Sequence, residues 1–95
     1  MLPIARFTIS GHSMEPFIKN GQTVLVSLIL YLISKPKIGD IVAFRKDEKV
    51  LIKRITKIGG EKYFVRGDNK NDSMDSKDFG WIEKEKIIGR VILNF

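Results

Sequence analysis

Ser13 follows Gly11 and His12 and precedes Met14, where the apolar stretch Ile4 to Ile9 gives way to Ser10-Gly11. A strand that ends in a turn leaves backbone N–H groups without ladder partners. A hydroxyl exposed there can attack a carbonyl while nearby N–H groups receive the developing oxyanion, so Ser13 is a candidate nucleophile. Such a serine needs a base. The chain has one His, His12, beside Ser13, but neighbouring side chains on an extended segment point to opposite sides. Lys53 is the alternative. In a period-two strand it shares a face with Leu51 and Ile55, while Val50, Ile52 and Arg54 take the other. A lysine so placed either snorkels its ammonium to water or, if held in, loses its charge as desolvation lowers its pKa from the ordinary value of ~10.4. Neutral and near Ser13, it would form a Ser-Lys pair, which needs no histidine.

The composition narrows the chemistry further. Ninety-five residues allow one small core, and 43% hydrophobic with 29% charged residues is a globular mixture. Zero Cys removes disulfides, thiolate zinc sites and cysteine nucleophiles, and a single His removes a paired-histidine zinc site. The loop Gly67 to Lys77 is dense in short polar side chains that bond to backbone. It resembles a calcium loop only superficially, because Lys70 and Lys77 intrude and no Glu closes it. Neither a metal nor a cofactor is expected. The net charge is +6, and the excess is concentrated: Ile33 to Arg66 holds ten Lys and Arg against four Asp and Glu. These cations alternate with apolar residues as on solvated strand faces, so a nucleic-acid partner is not expected, whereas an anionic membrane surface is. The most apolar run, Val24 to Ile33, is ten residues long, where a bilayer span needs ~20. It reads as a buried strand with its extension, or as a patch that touches lipid. No secretory signal is legible in Met1 to Ser10, so a cytoplasmic or peripherally membrane-associated protein without a transmembrane anchor is expected.

The elements that must position these residues are short. Ile4 to Ile9 reads as a strand, Asn20-Gly21 as the turn before a strand starting near Thr23, and Ile41 to Arg45 with Val50 to Ile58 as a hairpin closed by Lys46 to Lys49. Gly59-Gly60 reverses the chain into Tyr63 to Arg66. Gly67 to Gly80 reads as a polar loop, Glu83 to Lys86 as a short turn or helix, and Ile87 to Leu93 as the last strand. The expected fold is all-β with little helix, one barrel-like domain over residues 1–95.

These pieces in this order resemble the signal peptidases of the Ser-Lys (S26) type, whose catalytic core is shared with the self-cleaving LexA-like repressors. Gly11-His12-Ser13-Met14-Glu15-Pro16 is similar to the family's nucleophile box and Lys37-Ile38-Gly39-Asp40-Ile41-Val42 to its second. Lys53-Arg54-Ile55 resembles the base box, Gly67-Asp68-Asn69 with Ser73-x-Asp75-Ser76 the last box, and Gly80-Trp81-Ile82 with Ile88-Gly89-Arg90 the closing strands. The resemblance implies coiled β-sheets, a serine endopeptidase without cofactor, and a protein precursor with an extended amino-terminal segment as substrate. It implies Ser13 as nucleophile, Lys53 as general base, Ser13 and Gly11 N–H groups at the oxyanion hole, Ser73 orienting the lysine amine, and Asp75 holding the loop, paired with Lys77 where the family usually has Arg. The chain departs from the pattern in lacking the membrane anchor, in reducing the β-ribbon to Gly59 to Arg66, and in Gly21-Gln22. Asp75 to Gly80 also resembles proteases that trim nickel superoxide dismutase precursors. A catalytically silent barrel that binds peptide or membrane surface is the reading of another class.

Overall fold

The computed structural model describes residues 3–71 and 74–95. The strands are β1 (Ile4–Thr8), β2 (Thr23–Ser27), β3 (Ile41–Lys46), β4 (Lys49–Gly59), β5 (Lys62–Arg66), β6 (Ile82–Glu83) and β7 (Ile87–Asn94). Two single-turn helices, α1 (Leu30–Ile33) and α2 (Ser76–Phe79), and a 3₁₀ turn over Lys84–Lys86 complete the described elements. The strands form one antiparallel sheet in the order β1-β2-β7-β3-β4-β5-β6. The all-β expectation holds.

Alternation explains why this sheet has two apolar faces. Ile41 and Ala43 pack with Met14, Ile18, Val24, Val26 and Ile52 on one side. Val42 and Phe44 pack with Ile55, Tyr63, Val65 and Ile82 on the other. The first four of the six β3 residues are buried, as befits a central strand covered on both faces. Lys53 pairs with Val42 in the β3–β4 register, which puts it on the Val42, Leu51 and Ile55 side. The sheet also coils. β1 and β4 are separated in it by three strands, yet Phe7 to Ile9 and Val50 to Lys53 line one cavity.

The bend is built into β7, whose pairings with β2 and β3 both carry a bulge. Gly89 lies between them, where β2 comes so close that a β-carbon would collide with the Ser27 carbonyl. No other residue type fits there without moving a strand.

Three local expectations are corrected. The run Val24 to Ile33 is not a strand with a strand extension: β2 stops at Ser27, whose hydroxyl accepts from the N–H groups of Ile29 and Leu30 at 3.4 and 3.2 Å and turns the chain into α1. Only its first half is buried, and Leu32 and Ile33 are 79% and 86% exposed. The polar loop Gly67 to Gly80 contains α2, which a capping box starts: Asp75 accepts from the helix backbone while Asp78 accepts from the Asp75 N–H at 3.1 Å. The β3–β4 hairpin is also tighter than expected, since Lys46 pairs with Lys49 and only Asp47-Glu48 remain in the loop.

Candidate active site

The turn after β1 carries Ser13 by anchoring the residue that follows it. Met14 and Ile18 are essentially fully buried in the first apolar cluster, and the Ile18 N–H donates to the Met14 carbonyl at 2.9 Å. With Met14 inserted, Ser13 remains at the edge of the cavity between β1 and β4. Lys53 Nζ comes to 2.7 Å from Ser13 Oγ, forty positions away in the chain. Lys53 is only 5% exposed, so its ammonium has not snorkelled to water.

The oxyanion side differs from what the sequence suggests. The Gly11 N–H, expected at the oxyanion hole, donates to Asn20 Oδ1 at 2.8 Å. The physical reason is the Asn20-Gly21 turn, which folds the Asn20 amide back beneath the nucleophile segment; the Gly21 N–H donates to the Ile9 carbonyl. Among the described residues the Ser13 N–H meets no acceptor. His12 turns away to Glu15, with 2.8 Å between Nδ1 and Oε2. That contact, with the Asn20 N–H as second donor, holds the Glu15 carboxyl below its ordinary range.

Arg54, next to Lys53 but on the opposite face of β4, ties the boxes together. Its guanidinium grips Asp68 with two contacts of 2.9 Å, donates to the Gly39 carbonyl at 2.9 Å and lies over the Phe17 ring. The hydrogen bonds to Asp68 raise the Arg54 pKa against the opposing effect of burial. Directly across the β4–β5 register stands Arg66, another cation. The acid-rich loop neutralises both, Asp68 against Arg54 and Asp75 against Arg66 at 3.2 Å. Asp75 is wholly buried and also accepts from the N–H groups of Gly67 and Lys77, each at 3.1 Å. The Lys77 ammonium reaches Asp75 at 3.8 Å but is closer to Asp78, at 3.0 Å. Ser73, expected to orient the lysine amine, lies outside the described residues.

Three positions in this framework escaped sequence reasoning. Arg54 and Asp68 are an ion pair whose partners stand fourteen residues apart, and opposite charges are too common in this chain for spacing to single them out. Asn69 donates to the Ser13 carbonyl from its backbone at 2.8 Å and to the His12 carbonyl from its amide at 3.1 Å. The Gly-Asp-Asn motif flagged the loop, but nothing local says which turn its asparagine reaches. No group of three or more His, Cys, Asp or Glu among the described residues is arranged to hold a metal.

The fold thus brings the expected nucleophile and the expected base together, a buried lysine against a turn serine beside an open cavity. The chain belongs to the peptidase S24-like family, whose model matches residues 4–92. It is similar to a probable signal peptidase I-2 of Synechocystis sp. (strain ATCC 27184 / PCC 6803 / Kazusa), 24% identical over 92% of this chain and 61% of that protein. It is also similar to signal peptidase IB of Staphylococcus aureus (strain Mu50 / ATCC 700699), 23% identical over 97% of this chain and 78% of that protein. The chain thus spans about three-fifths of the Synechocystis relative's length. The matched stretches run to 132 and 148 positions against 95 residues here, so both relatives carry additional residues within them.

Proposed function

We propose that the chain is a serine endopeptidase that cleaves an extended amino-terminal segment from a protein precursor, with Ser13 as nucleophile and Lys53 as general base. The observation that carries this reading is the 2.7 Å approach of Lys53 Nζ to Ser13 Oγ at a lysine only 5% exposed. Desolvation disfavours the ammonium, and a neutral amine presents the lone pair that accepts the serine proton. Ser13 Oγ then attacks the scissile carbonyl, and the oxyanion forms against the Ser13 N–H. The protonated Lys53 gives its proton to the leaving amine, which departs and leaves an acyl-enzyme. Lys53 next deprotonates a water that releases the acyl group. Asp75 holds the loop beside the site through Arg66, Gly67 and α2.

An extended substrate has a track to lie on. β1 pairs only with β2, and β4 pairs with β5 only from Arg54 onward, so β1 and the first half of β4 each have an edge free of a described strand. Both lie along the cavity of about 210 Å³ that contains Ser13 and Lys53. A peptide added there gains main-chain hydrogen bonds whatever its sequence, while the small cavity selects side chains by size. The names of the relatives favour an exported preprotein over a nickel-enzyme precursor. We also read the exposed α1 region as a peripheral contact with anionic membrane.

The direct test incubates purified protein with a signal-peptide-bearing precursor and, separately, with a nickel superoxide dismutase precursor, following the amino-terminal fragment by mass spectrometry. Cleavage that Ser13→Ala abolishes supports the reading, and which precursor is cut identifies the substrate class. Wild-type protein that cuts neither, yet binds peptide along the β1–β4 edges, would make it a silent binding domain.

A further inference from the structure

The oxyanion donor is a backbone N–H, and a backbone N–H can be aimed only by aiming its peptide plane. In a trans peptide the C=O of one residue and the N–H of the next point in opposite directions. The direction of the Ser13 N–H is therefore set by whatever holds the His12 carbonyl. Among the described residues the Glu15 N–H does so at 3.2 Å, within the same turn, and the Asn69 Nδ2 at 3.1 Å, from a loop more than fifty residues away. The following plane is held as well, because the Asn69 N–H donates to the Ser13 carbonyl at 2.8 Å. One residue thus grips both peptide planes that flank the nucleophile. With the Gly11 N–H taken up by Asn20, the aim of the Ser13 N–H matters more.

Resting on the proposed Ser13–Lys53 chemistry, we infer that Asn69 is a positioning residue for the oxyanion hole: its amide, through the His12 carbonyl, keeps the Ser13 N–H directed at the site where the oxyanion forms. Its loop is itself clamped, since the neighbouring Asp68 is fixed bidentately by Arg54, the residue after Lys53. Base, nucleophile and oxyanion donor are in this way referred to one loop. Asn69 is partly buried, and its backbone contact to Ser13 survives any side-chain change. Asn69→Ala and Asn69→Asp therefore remove the amide donor while leaving the loop docked, and the aspartate keeps the shape. Asp68→Asn is the control, weakening the clamp while sparing the amide.

The readout compares a transition-state mimic with a ground-state one. A trialanine peptide suits the small cavity; it is used with a fluorogenic amide leaving group, as the C-terminal aldehyde and as the C-terminal alcohol. With the aldehyde the Ser13 Oγ–carbon bond forms, the carbonyl π pair becomes the oxyanion pair, and the hydroxyl proton passes to Lys53. The alcohol can form no such adduct. Loss of a direct oxyanion donor costs roughly 10²- to 10³-fold in kcat, so misdirecting one should cost roughly ten- to a hundredfold. For Asn69→Ala and Asn69→Asp the expected result is that loss in kcat, an unchanged KM, and weaker aldehyde binding by a similar factor with alcohol binding unchanged. Asp68→Asn should lower Tm and move aldehyde and alcohol affinities together. Unchanged kcat and aldehyde affinity in the Asn69 variants, or equal weakening of aldehyde and alcohol, overturns the inference while leaving the dyad intact. Wild-type protein that neither turns over the amide nor prefers the aldehyde removes the dyad reading and this inference with it.

Discussion

At Lys53 the environment matters as much as the residue. Its neighbours along the strand, Leu51 and Ile55, belong to the same apolar cluster, and the partner across the ladder is the fully buried Val42. The side chain is thus held against Ser13, away from solvent. Lys53→Arg should leave no measurable cleavage although it keeps a cation, because a guanidinium stays protonated and cannot accept the serine proton. Single-turnover kinetics at near wild-type rate in that variant would reduce Lys53 to an electrostatic role. Ser13→Ala should likewise abolish turnover with an unfolding free energy within about 1 kcal/mol of wild type, since Ser13 is at the cavity edge and Met14 and Ile18 supply the packing. His12→Ala should cost at most a few-fold, because His12 faces Glu15 and is half exposed. Loss of all activity there would restore a histidine base. Since the base must be neutral to act, kcat/KM should rise with pH, and a flat profile would contradict the mechanism.

Within the elements, the loop that carries Asp75 and the helix α1 are each held by one anchoring side chain. Asp75 serves a helix cap, a loop N–H and the Arg66 guanidinium at once. Asp75→Ala leaves Arg66 facing Arg54 without its counter-ion and should cost about 3 kcal/mol in urea unfolding. Asp75→Asn keeps the acceptor shape and should cost clearly less; equal losses would argue that charge alone matters. In α1 the Tyr31 hydroxyl donates to Asp40 at 2.6 Å, and Asp40 also faces Arg90 at 3.5 Å. Burial, then the Asp40 contact, pushes the Tyr31 pKa well above its ordinary value of 10.0. A raised pKa means that the folded state holds a proton the unfolded chain releases. The stabilisation is therefore complete below pH 10 and declines as pH rises above it. Tyr31→Phe should remove that alkaline decline and cost about 1 kcal/mol near neutral pH, measured by denaturant midpoints from pH 7 to 11. A decline of unchanged size would assign it to another group.

For the molecule as a whole, charge and exposed apolar surface coincide. Leu28, Ile29, Leu32, Ile33 and Ile38 are all more than two-fifths exposed, and between Leu28 and Gly39 the chain carries Lys35 and Lys37 and no acid. Lys84 joins Leu28, Tyr31, Leu32 and Pro36 around a shared cleft. No helix among the described residues is long and apolar enough to cross a membrane. The proposed contact of this face is with an anionic lipid surface met from one side. The protein should float with vesicles containing phosphatidylserine at low salt and be released as salt rises, each basic residue near the surface contributing ~1 kcal/mol. Leu32→Asp with Ile33→Asp should abolish flotation without altering peptide turnover. Protein that stays at the bottom of the gradient at low salt would reject this surface.

The β class, most strand positions and the two-faced character of β4, which sets Lys53 on the Leu51 and Ile55 side, are legible in the sequence, because alternation and turn residues act over a few neighbours. The ordered boxes also point to the right family. What the sequence leaves open is set by groups far apart in the chain that meet only when the sheet coils. Val24 to Ile33 is apolar but for Ser27 and the Tyr31 hydroxyl, and only the close approach of β7 at Gly89 and the Ser27 hydroxyl that receives α1 decide where burial stops. The Gly11 N–H looks available until Asn20 folds back on it. Asn69 looks like a turn residue until its loop is clamped by Arg54 beneath the His12 and Ser13 carbonyls. A hydrogen bond is directional and short in reach, so its partner is chosen by tertiary geometry, whereas hydrophobic periodicity is a property of the chain itself.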